Sequence, residues 1–595
     1  MGWPYHFINL SEAEKLVRRE ALDSYAIYAQ LSALLPIAVA LLYRTASWAL
    51  KSSGRQGSYS EVPSSPILKS QRSSSQGGWA LRTQKLQWWL GEDFVPGGKL
   101  GQRDQWVIGV FWAFWMVSLS VLGTGDDYLH VTKRFGMVAA SQYPIQYLLA
   151  LKSLNPYAFV FRSSHEHINR YHRVLGRVIT LLLVLHWAFY MNFFAQNGLL
   201  PRRMSDPVVR AGVVSFLSLN ILNTTALRPM RKFSYRLFFI VHLVVAFVMP
   251  VLLSFHAKPA RKFMAEALVV FIADLASRKF DTVTAHASLE SIPGTSLVKI
   301  TASVPHPKIN RFRTQPGSHI YLSIPAGVRR SANVASISHL LFEFLFNPFT
   351  VAAVDEENGD LTFVARHRSG PMTTALARLA GGTKLPDAAP TTSSSTNDPQ
   401  EKIPIYIEGP YGVAAGFPQF SGGDFDRVLL VAGGIGATFT VPLYRSIIRE
   451  NPTARVQMVW AVRGAGDATW AVTGRDDSQE AGILNDENVH IFLTGDVAAP
   501  AANTGSTSGS RNGEEEVEMS SLQRDRRRNK FTAQHNRKRP DLKKIVDDVF
   551  KHGSEERVAV LVCGPAGMAR ELRAHVGVWV GKGRTAWWHN EGFGF

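Results

Sequence analysis

Residues 169–190, NRYHRVLGRVITLLLVLHWAFY, and residues 234–256, SYRLFFIVHLVVAFVMPVLLSFH, decide how the first half of this chain is read. Each is apolar over about the 20 residues that a helix needs to cross a ~30 Å hydrocarbon core. Each also carries two histidines: His172 and His186 in the first, His242 and His256 in the second. Both pairs are fourteen residues apart. That is close to four helical turns, so the members of a pair share one helix face about 21 Å apart along the axis. Ionisable side chains inside spans are costly and turn toward the bundle interior. One further span separates the two helices, so they run the same way, with His172 level with His242 and His186 level with His256. Two imidazoles at each of two levels suit two six-coordinate haems. A lone histidine in a span reads more simply as a polar group bonded within the bundle; the repeated spacing argues for ligands. His130, His165 and His167 read instead as loop residues with a surface role.

Outward from these two stretches, seven segments are apolar enough to be spans: 24–44, 105–124, 134–152, 173–194, 208–224, 235–256 and 262–277. The third and seventh are the weakest, interrupted by Gln142, Gln146, Glu266 and Asp274. The Ser/Gly-rich stretch 51–80 reads as a flexible loop. Lysines and arginines favour the cytoplasmic side of membrane proteins. They concentrate in the loops 45–104, 153–172 and 225–234, which puts the N-terminus outside and the C-terminal half inside. Arg202 and Arg203, in an outside loop, run against that scheme. The N-terminus lacks the basic-then-apolar order of a cleaved signal, so the first span reads as the insertion signal.

The formal charge of +18 over 595 residues would suit nucleic acid or an anionic surface. No stripe interleaves basic and aromatic residues, however, and many of the basic residues flank apolar spans. A lipid bilayer is the expected partner and nucleic acid is not. Cys563 is the sole cysteine, which excludes an intrachain disulfide and a cysteine-based metal site.

After residue 277 the pattern changes to short apolar runs broken by Pro and Gly, as in 282–304 and 317–324, which predicts a small antiparallel barrel. Residues 383–402 form a polar insertion. FDRVLLVAGGIGATFTVPLYRSII (425–448) then reads as strand, glycine turn and helix, with the helix start suited to phosphate. VQMVWAVRG (456–464), HIFLTG (490–495) and RVAVLVCGPAGMARELR (557–573) continue the alternation and predict a parallel nucleotide-binding sheet. Residues 499–540, rich in Ser, Gly, Glu and Arg, read as a disordered insertion.

Together these residues resemble the ferric reductase and NADPH oxidase superfamily, and most closely its fungal ferric-chelate reductases, over roughly 100–595. The resemblance implies a multi-pass α-helical membrane domain that binds haem, an antiparallel β-barrel FAD domain and an α/β Rossmann-like NADPH domain of the ferredoxin-NADP reductase type. The limits it suggests are 1–104 for the first span and a cytosolic loop, 105–278 for the haem domain, 279–415 for the barrel and 416–595 for the NADPH domain. His172, His186, His242 and His256 match the family's haem ligands. FNPFT (346–350) resembles its HPFT flavin motif, so Asn347, Pro348, Phe349 and Thr350 would meet FAD. Asn347 stands where the family has His, which bears on flavin affinity or redox tuning. Gly370, Met372 and Thr373 would hold the FAD pyrophosphate. Three stretches would take NADPH: Gly409, Pro410, Tyr411 and Gly412; Gly433, Gly434, Gly436 and Thr438; and Cys563, Gly564 and Pro565. Phe595 would stack on the flavin, and Arg463 is a candidate for the 2′-phosphate.

The resemblance implies that NADPH gives a hydride to FAD, and that single electrons then pass through the inner and outer haems to extracellular Fe(III) or Cu(II). The chemistry belongs to the cofactors, so no catalytic triad or paired carboxylate is needed and none is found in the sequence. Ferric or cupric chelates would be substrates and the plasma membrane the site. Iron uptake would be the role, with an iron permease or oxidase as a partner. Two rivals stand beside this reading. A superoxide-producing NADPH oxidase shares its wiring. A seven-span receptor or transporter would explain the spans but neither the histidines nor the glycine turns.

Overall fold

A computed structural model of the chain describes residues 5–53, 78–325, 346–381, 402–471, 486–495 and 538–592, apart from a few positions inside those ranges, together with residues 328 and 483. Most of the 51–80 loop, residues 383–401 and 499–537 of the two insertions, and Phe595 lie outside the described residues. The chain divides into two compact units, one built from residues 1–60 and 89–282, the other from residues 61–88 and 283–594.

In chain order the long helices are α1 (Glu12–Ser53), α2 (Gly78–Leu90), α3 (Arg103–Val121), α4 (Tyr128–Ser141), α5 (Tyr143–Leu148), α6 (His165–Gln196), α7 (Pro207–Thr225), α8 (Tyr235–His256) and α9 (Arg261–Asp281). Apart from most of α2, these build the first unit. Five of the described helices are long and apolar enough to cross a membrane: α1, α3, α6, α7 and α8. Many of their large apolar side chains face outward, among them Val110, Phe111, Leu181, Val214 and Phe247, as a lipid-facing surface requires. α6 packs against α3 and α4, and α8 against α7 and α9.

The two weakest expected spans have their own explanations. Residues 134–152 do not form one helix: the segment divides into α4 and α5 around Gln142, with Pro144 in the first turn of α5, where its missing N–H costs nothing. α9 is continuous but holds Asp274, which is only 3% exposed. Its carboxylate accepts the backbone N–H groups of Ser153 at 2.8 Å and Leu154 at 2.9 Å. A carboxylate satisfied by backbone donors can be buried at modest cost, which is why an acid persists in an apolar segment.

The second unit opens with a closed barrel. Its strands are β1 (Val283–Ser291), β2 (Leu297–Ser303), β3 (His319–Ser323), β4 (Asn347–Asp355), β5 (Asp360–Arg366) and β6 (Ile403–Tyr411), in the order β1-β2-β5-β4-β3-β6. Every pairing is antiparallel, as the alternating pattern predicts. Helices α10 (His306–Arg313) and α11 (Pro371–Ala380) belong to this part. The five-stranded sheet that follows has β7 (Arg427–Gly433), β8 (Val456–Val462), β9 (Val489–Leu493), β10 (Val558–Cys563) and β11 (Ala586–Glu591), in the order β11-β10-β7-β8-β9. All its pairings are parallel. Its central strands are mostly apolar, and all six residues of β10 are buried, as expected when helices cover both faces. α12 (Ala437–Glu450), α13 (Leu542–Phe550) and α14 (Ala566–Gly581) supply that cover.

α2 forms inside a region read from sequence as a cytosolic loop. Its Trp88 packs against Trp588 of β11 at 5.9 Å between ring centroids, beneath the Arg573 guanidinium at 4.3 Å. Gly577 leaves space for the indole, since a Cβ there would come within 2.7 Å of Nε1. The Gln84 side-chain amide donates to the carbonyls of Arg584 and Ala586, both at 3.3 Å.

Candidate functional site

The four histidines come together in two pairs. The rings of His172 and His242 lie 6.0 Å apart between centroids, and those of His186 and His256 lie 6.3 Å apart. These are the partners expected from the fourteen-residue spacing, and the pairing shows that α6 and α8 run in the same direction. With metal–imidazole bonds of about 2.0 Å, the value for zinc, a metal held between two such rings would need ring centres roughly 6 Å apart. Both gaps therefore fit a single metal centre between two imidazoles.

The ring nitrogens support the same fit. His172 Nδ1 lies 2.9 Å from the Gln146 carbonyl, His186 Nδ1 2.8 Å from the Thr132 carbonyl and His256 Nδ1 2.8 Å from the Val208 carbonyl. A carbonyl only accepts, so in each case Nδ1 carries the proton and Nε2 keeps its lone pair for a metal. Metal-bound histidines are oriented this way. The fourth, His242, has its Nδ1 buried without a hydrogen-bond partner. One contact opposes ligation: the Gln146 side-chain nitrogen is 3.3 Å from His172 Nε2, and that contact would have to yield to a metal.

Two glycines hold the rings at the second level. A Cβ on Gly136 would lie 2.7 Å from the His186 ring, and one on Gly212 would lie 2.5 Å from the His256 ring. Sequence reading missed both. The available signal was a glycine within an apolar helix segment, the sign of close approach.

In the barrel, Asn347, Pro348, Phe349 and Thr350 form the start of β4, paired with Leu322, Tyr321, Ile320 and His319 of β3 respectively. Thr350 is 7% exposed and the other three are half-buried. Gly370 caps α11. The Thr373 hydroxyl donates to the Arg368 carbonyl at 2.8 Å, which fixes the turn ahead of the helix. Met372 is buried in the barrel core. Gly409 and Gly412 have φ of +137° and +115°, values that favour glycine. Between them, the Tyr411 hydroxyl donates to Glu408 at 2.7 Å.

The other glycine turns meet at the carboxyl ends of β7 and β10, where ligands bind in sheets of this kind. A Cβ on Gly436 would fall 2.0 Å from the Cys563 carbonyl oxygen, one on Gly433 2.5 Å from Pro565 and one on Gly564 2.5 Å from Met568. Only glycine allows the two turns to nest, so backbone is left facing the space above the strands. The Thr438 hydroxyl donates to the Ile435 carbonyl at 2.9 Å. Burial, and then Glu591 on the neighbouring strand, pushes the Cys563 thiol up, so it is a neutral packing group at ordinary pH. Arg463 is exposed just past β8. The Arg366–Asp467 ion pair, at 2.9 Å, was not anticipated.

Two histidines read as surface loop residues are placed otherwise. His130 is buried in the first turn of α4, with Nε2 2.8 Å from Arg134, and Arg134 is itself fully buried. His165 is buried at the start of α6, 3.0 Å from Glu166. Each lies in a helical turn covered by neighbouring helices, and its local sequence carries no apolar period to show that. His167 is exposed, as expected, but it stands in the first turn of α6 rather than in a loop.

Comparison with known proteins divides the chain along the same lines. Residues 135–253 match the ferric reductase like transmembrane component, 284–415 an FAD-binding domain and 425–577 the ferric reductase NAD binding domain. The chain belongs to the ferric reductase family. It is an NADPH-dependent oxidoreductase that uses FAD, and its transmembrane component is of a kind that typically binds haem. Three of the four histidines fall inside the transmembrane match, and His256 lies three residues beyond it. Among the relatives is ferric/cupric reductase transmembrane component 2 of Schizosaccharomyces pombe, 22% identical over 75% of this chain and 78% of its own. Ferric reductase transmembrane component 1 of that yeast is 24% identical over 75% and 76%. A probable metalloreductase of Meyerozyma guilliermondii is 23% identical over 77% and 84%.

Proposed function

We propose that this family member is a transmembrane ferric- or cupric-chelate reductase, moving electrons from cytosolic NADPH by way of FAD and two b-type haems to a metal chelate on the far side of the membrane, in support of iron uptake. The observation that carries the proposal is the pair of histidine levels, with ring gaps of 6.0 and 6.3 Å and Nδ1 protons held by carbonyls at three of the four rings. The names of the yeast relatives supply the metal substrate. The loop charges favour a topology with the C-terminal half inside, and the plasma membrane is the setting proposed for it.

The division of labour would follow the limits 1–104, 105–278, 279–415 and 416–595. When bound, the cofactors supply the redox chemistry, flavin exchanging a hydride for single electrons and haem relaying them one at a time. The protein's residues hold and orient. His172 with His242, and His186 with His256, would each take one haem. The start of β4 and the turn before α11 would seat FAD, through Thr350, Gly370 and Thr373. The nested turns Gly433–Gly436 and Cys563–Pro565 would receive NADPH, their glycines clearing space for the dinucleotide and the start of α12 facing its phosphates. Arg463 would meet the 2′-phosphate, and Phe595 the flavin.

A His186→Leu variant tests the scheme. Expected are a fall from two haems per chain to one, loss of ferric-chelate reduction by sealed vesicles, and retained flavin reduction by NADPH. Chelate reduction at the wild-type rate in that variant would sink the proposal. Wild-type reduction should also be indifferent to superoxide dismutase and persist without oxygen.

A further inference from the structure

Arg202 and Arg203 stand against the charge rule that orients the rest of the chain, and the structure gives them a setting. The segment between α6 and α7 lines a cavity of about 410 Å³, walled by Leu199, Arg202, Arg203, Ser205 and Asp206. That is within the range of small-molecule sites. Both guanidinium groups belong to exposed residues. Arg203 is tied only loosely, 3.7 Å from Asp206 and half exposed, so most of its donors are available.

The cavity lies close to the second histidine level. Asp206 caps α7 by accepting the Val208 N–H at 3.0 Å, and the carbonyl of that same Val208 accepts His256 Nδ1 at 2.8 Å. From the other helix, Tyr190 sits one turn beyond His186 with its ring 5.0 Å away. Two more cations stand just past His256: Lys258, and Arg261, whose Nε donates to the Ser254 carbonyl at 2.8 Å. Asp206 is the one acid between Leu199 and Arg210, and none lies between His256 and Arg261.

We infer that this cavity docks the substrate as an anionic, carboxylate-bearing ferric chelate, with Arg202 and Arg203 as its recognition residues. This rests on the proposed reading in which His186 and His256 carry the electron-exit haem. Carboxylate chelators leave outward oxygens and net negative charge around ferric iron, and a guanidinium fork meets carboxylate oxygens two at a time. A steering field of this sign also concentrates such anions where the electron leaves. The reaction needs nothing further: one electron converts Fe(III) to Fe(II), and no protein bond forms or breaks.

The test uses the full-length protein in phosphatidylcholine nanodiscs, comparing wild type with Arg202→Gln/Arg203→Gln and Arg202→Lys/Arg203→Lys. Binding is read with gallium(III)–EDTA, a redox-inert anion, and turnover with ferric EDTA against the neutral ferric tris-maltolate. In the glutamine pair, gallium(III)–EDTA should bind about tenfold more weakly and the KM for ferric EDTA should rise about as much, the loss of one or two charge-assisted hydrogen bonds. kcat and the KM for the neutral chelate should stay within about twofold, and the lysine pair should recover most of the affinity, charge rather than fork geometry being the larger part. Asp206→Asn, which keeps the helix cap, should lower the KM for ferric EDTA. Equal changes for both chelates, no change for either, or a loss that appears only when anionic lipid is added would each overturn the assignment. Failure of NADPH to reduce any haem would strike the parent reading instead, and gallium(III)–EDTA binding would still decide the site.

Discussion

The two histidine levels use the same side chains and are built differently. At the His186/His256 level both rings give their Nδ1 protons to carbonyls on separate helices, α4 and α7, and a glycine on each of those helices clears the ring. At the His172/His242 level one ring is tied, to the Gln146 carbonyl. The other, His242, has no partner for Nδ1 and packs its ring 5.2 Å from Phe238. One level is fixed by four neighbouring backbone features and leaves little freedom. The other can adjust, and its Gln146 side chain stands at the lone pair a metal would need. Identical side chains in a membrane bundle therefore need not be equally preorganised.

The largest effect should come from filling a clearance. Gly212→Val or Gly136→Val would push side-chain carbon into a ring already within 2.5 or 2.7 Å of the Cβ position. Affinity for the haem at that level should fall by at least the 10–100-fold, roughly, seen when outer-shell support of a metal ligand is lost. Haem content and the reduced-minus-oxidised spectrum should show one centre missing. A full complement of two haems in either variant would erase the contrast between the levels. A second test asks whether glycine clearance is a general device of this chain. Gly436→Val, aimed at the Cys563 carbonyl, should cost about 1–3 kcal/mol in overpacking and weaken NADPH binding about 5–100-fold, with haem content unchanged.

A smaller effect concerns the same nested turns. Because burial raises the Cys563 thiol, the unfolded chain releases this proton more readily than the folded one. Stability from this group is complete below the ordinary thiol value of about 8.5 and falls above it by up to about 1.4 kcal/mol per pH unit. Thermal melts of Cys563→Ala should lose that part of the alkaline decline, and an unchanged slope would refute the assignment. The smallest change is expected from Gln146→Ala. It keeps the carbonyl that orients His172 and removes the nitrogen near Nε2, so haem affinity at that level should stay level or rise up to about threefold. A tenfold loss would show that this level, too, depends on fixed neighbours.

The histidine pairs were legible because an identical spacing in two apolar segments is a one-dimensional trace of a shared level. The parallel sheet was legible from the order of its strands and glycine turns, and the barrel from its alternation. Other features were not, for reasons visible in the structure. Gly136 and Gly212 gain meaning only from rings some 50 and 44 positions away in sequence. Asp274 reads as an interruption until the backbone of Ser153 and Leu154 is seen to satisfy it. Residues 134–152 are apolar enough for one helix, and only Pro144, two residues past Gln142, marks the break locally. His130 was misplaced because its burial comes from packed helices rather than from its own surroundings. Helix α2 was read as loop because its anchors, Trp588 and Arg573, belong to the far end of the chain.

That last contact sets an order of assembly. β11 is an outer strand of its sheet, and an outer strand presents unpaired carbonyls on which other chains can zip. Gln84 takes up one of these, at Ala586, and the carbonyl of Arg584 just ahead of the strand, from 502 and 500 positions away. On the ribosome the seal is therefore made some 500 residues before the strand it closes. A nascent or truncated chain that stops short of β11 carries an amphipathic segment with nothing to cover, and a chain that begins after α2 carries a sticky border. Completion of the sheet and concealment of its border thus become one event.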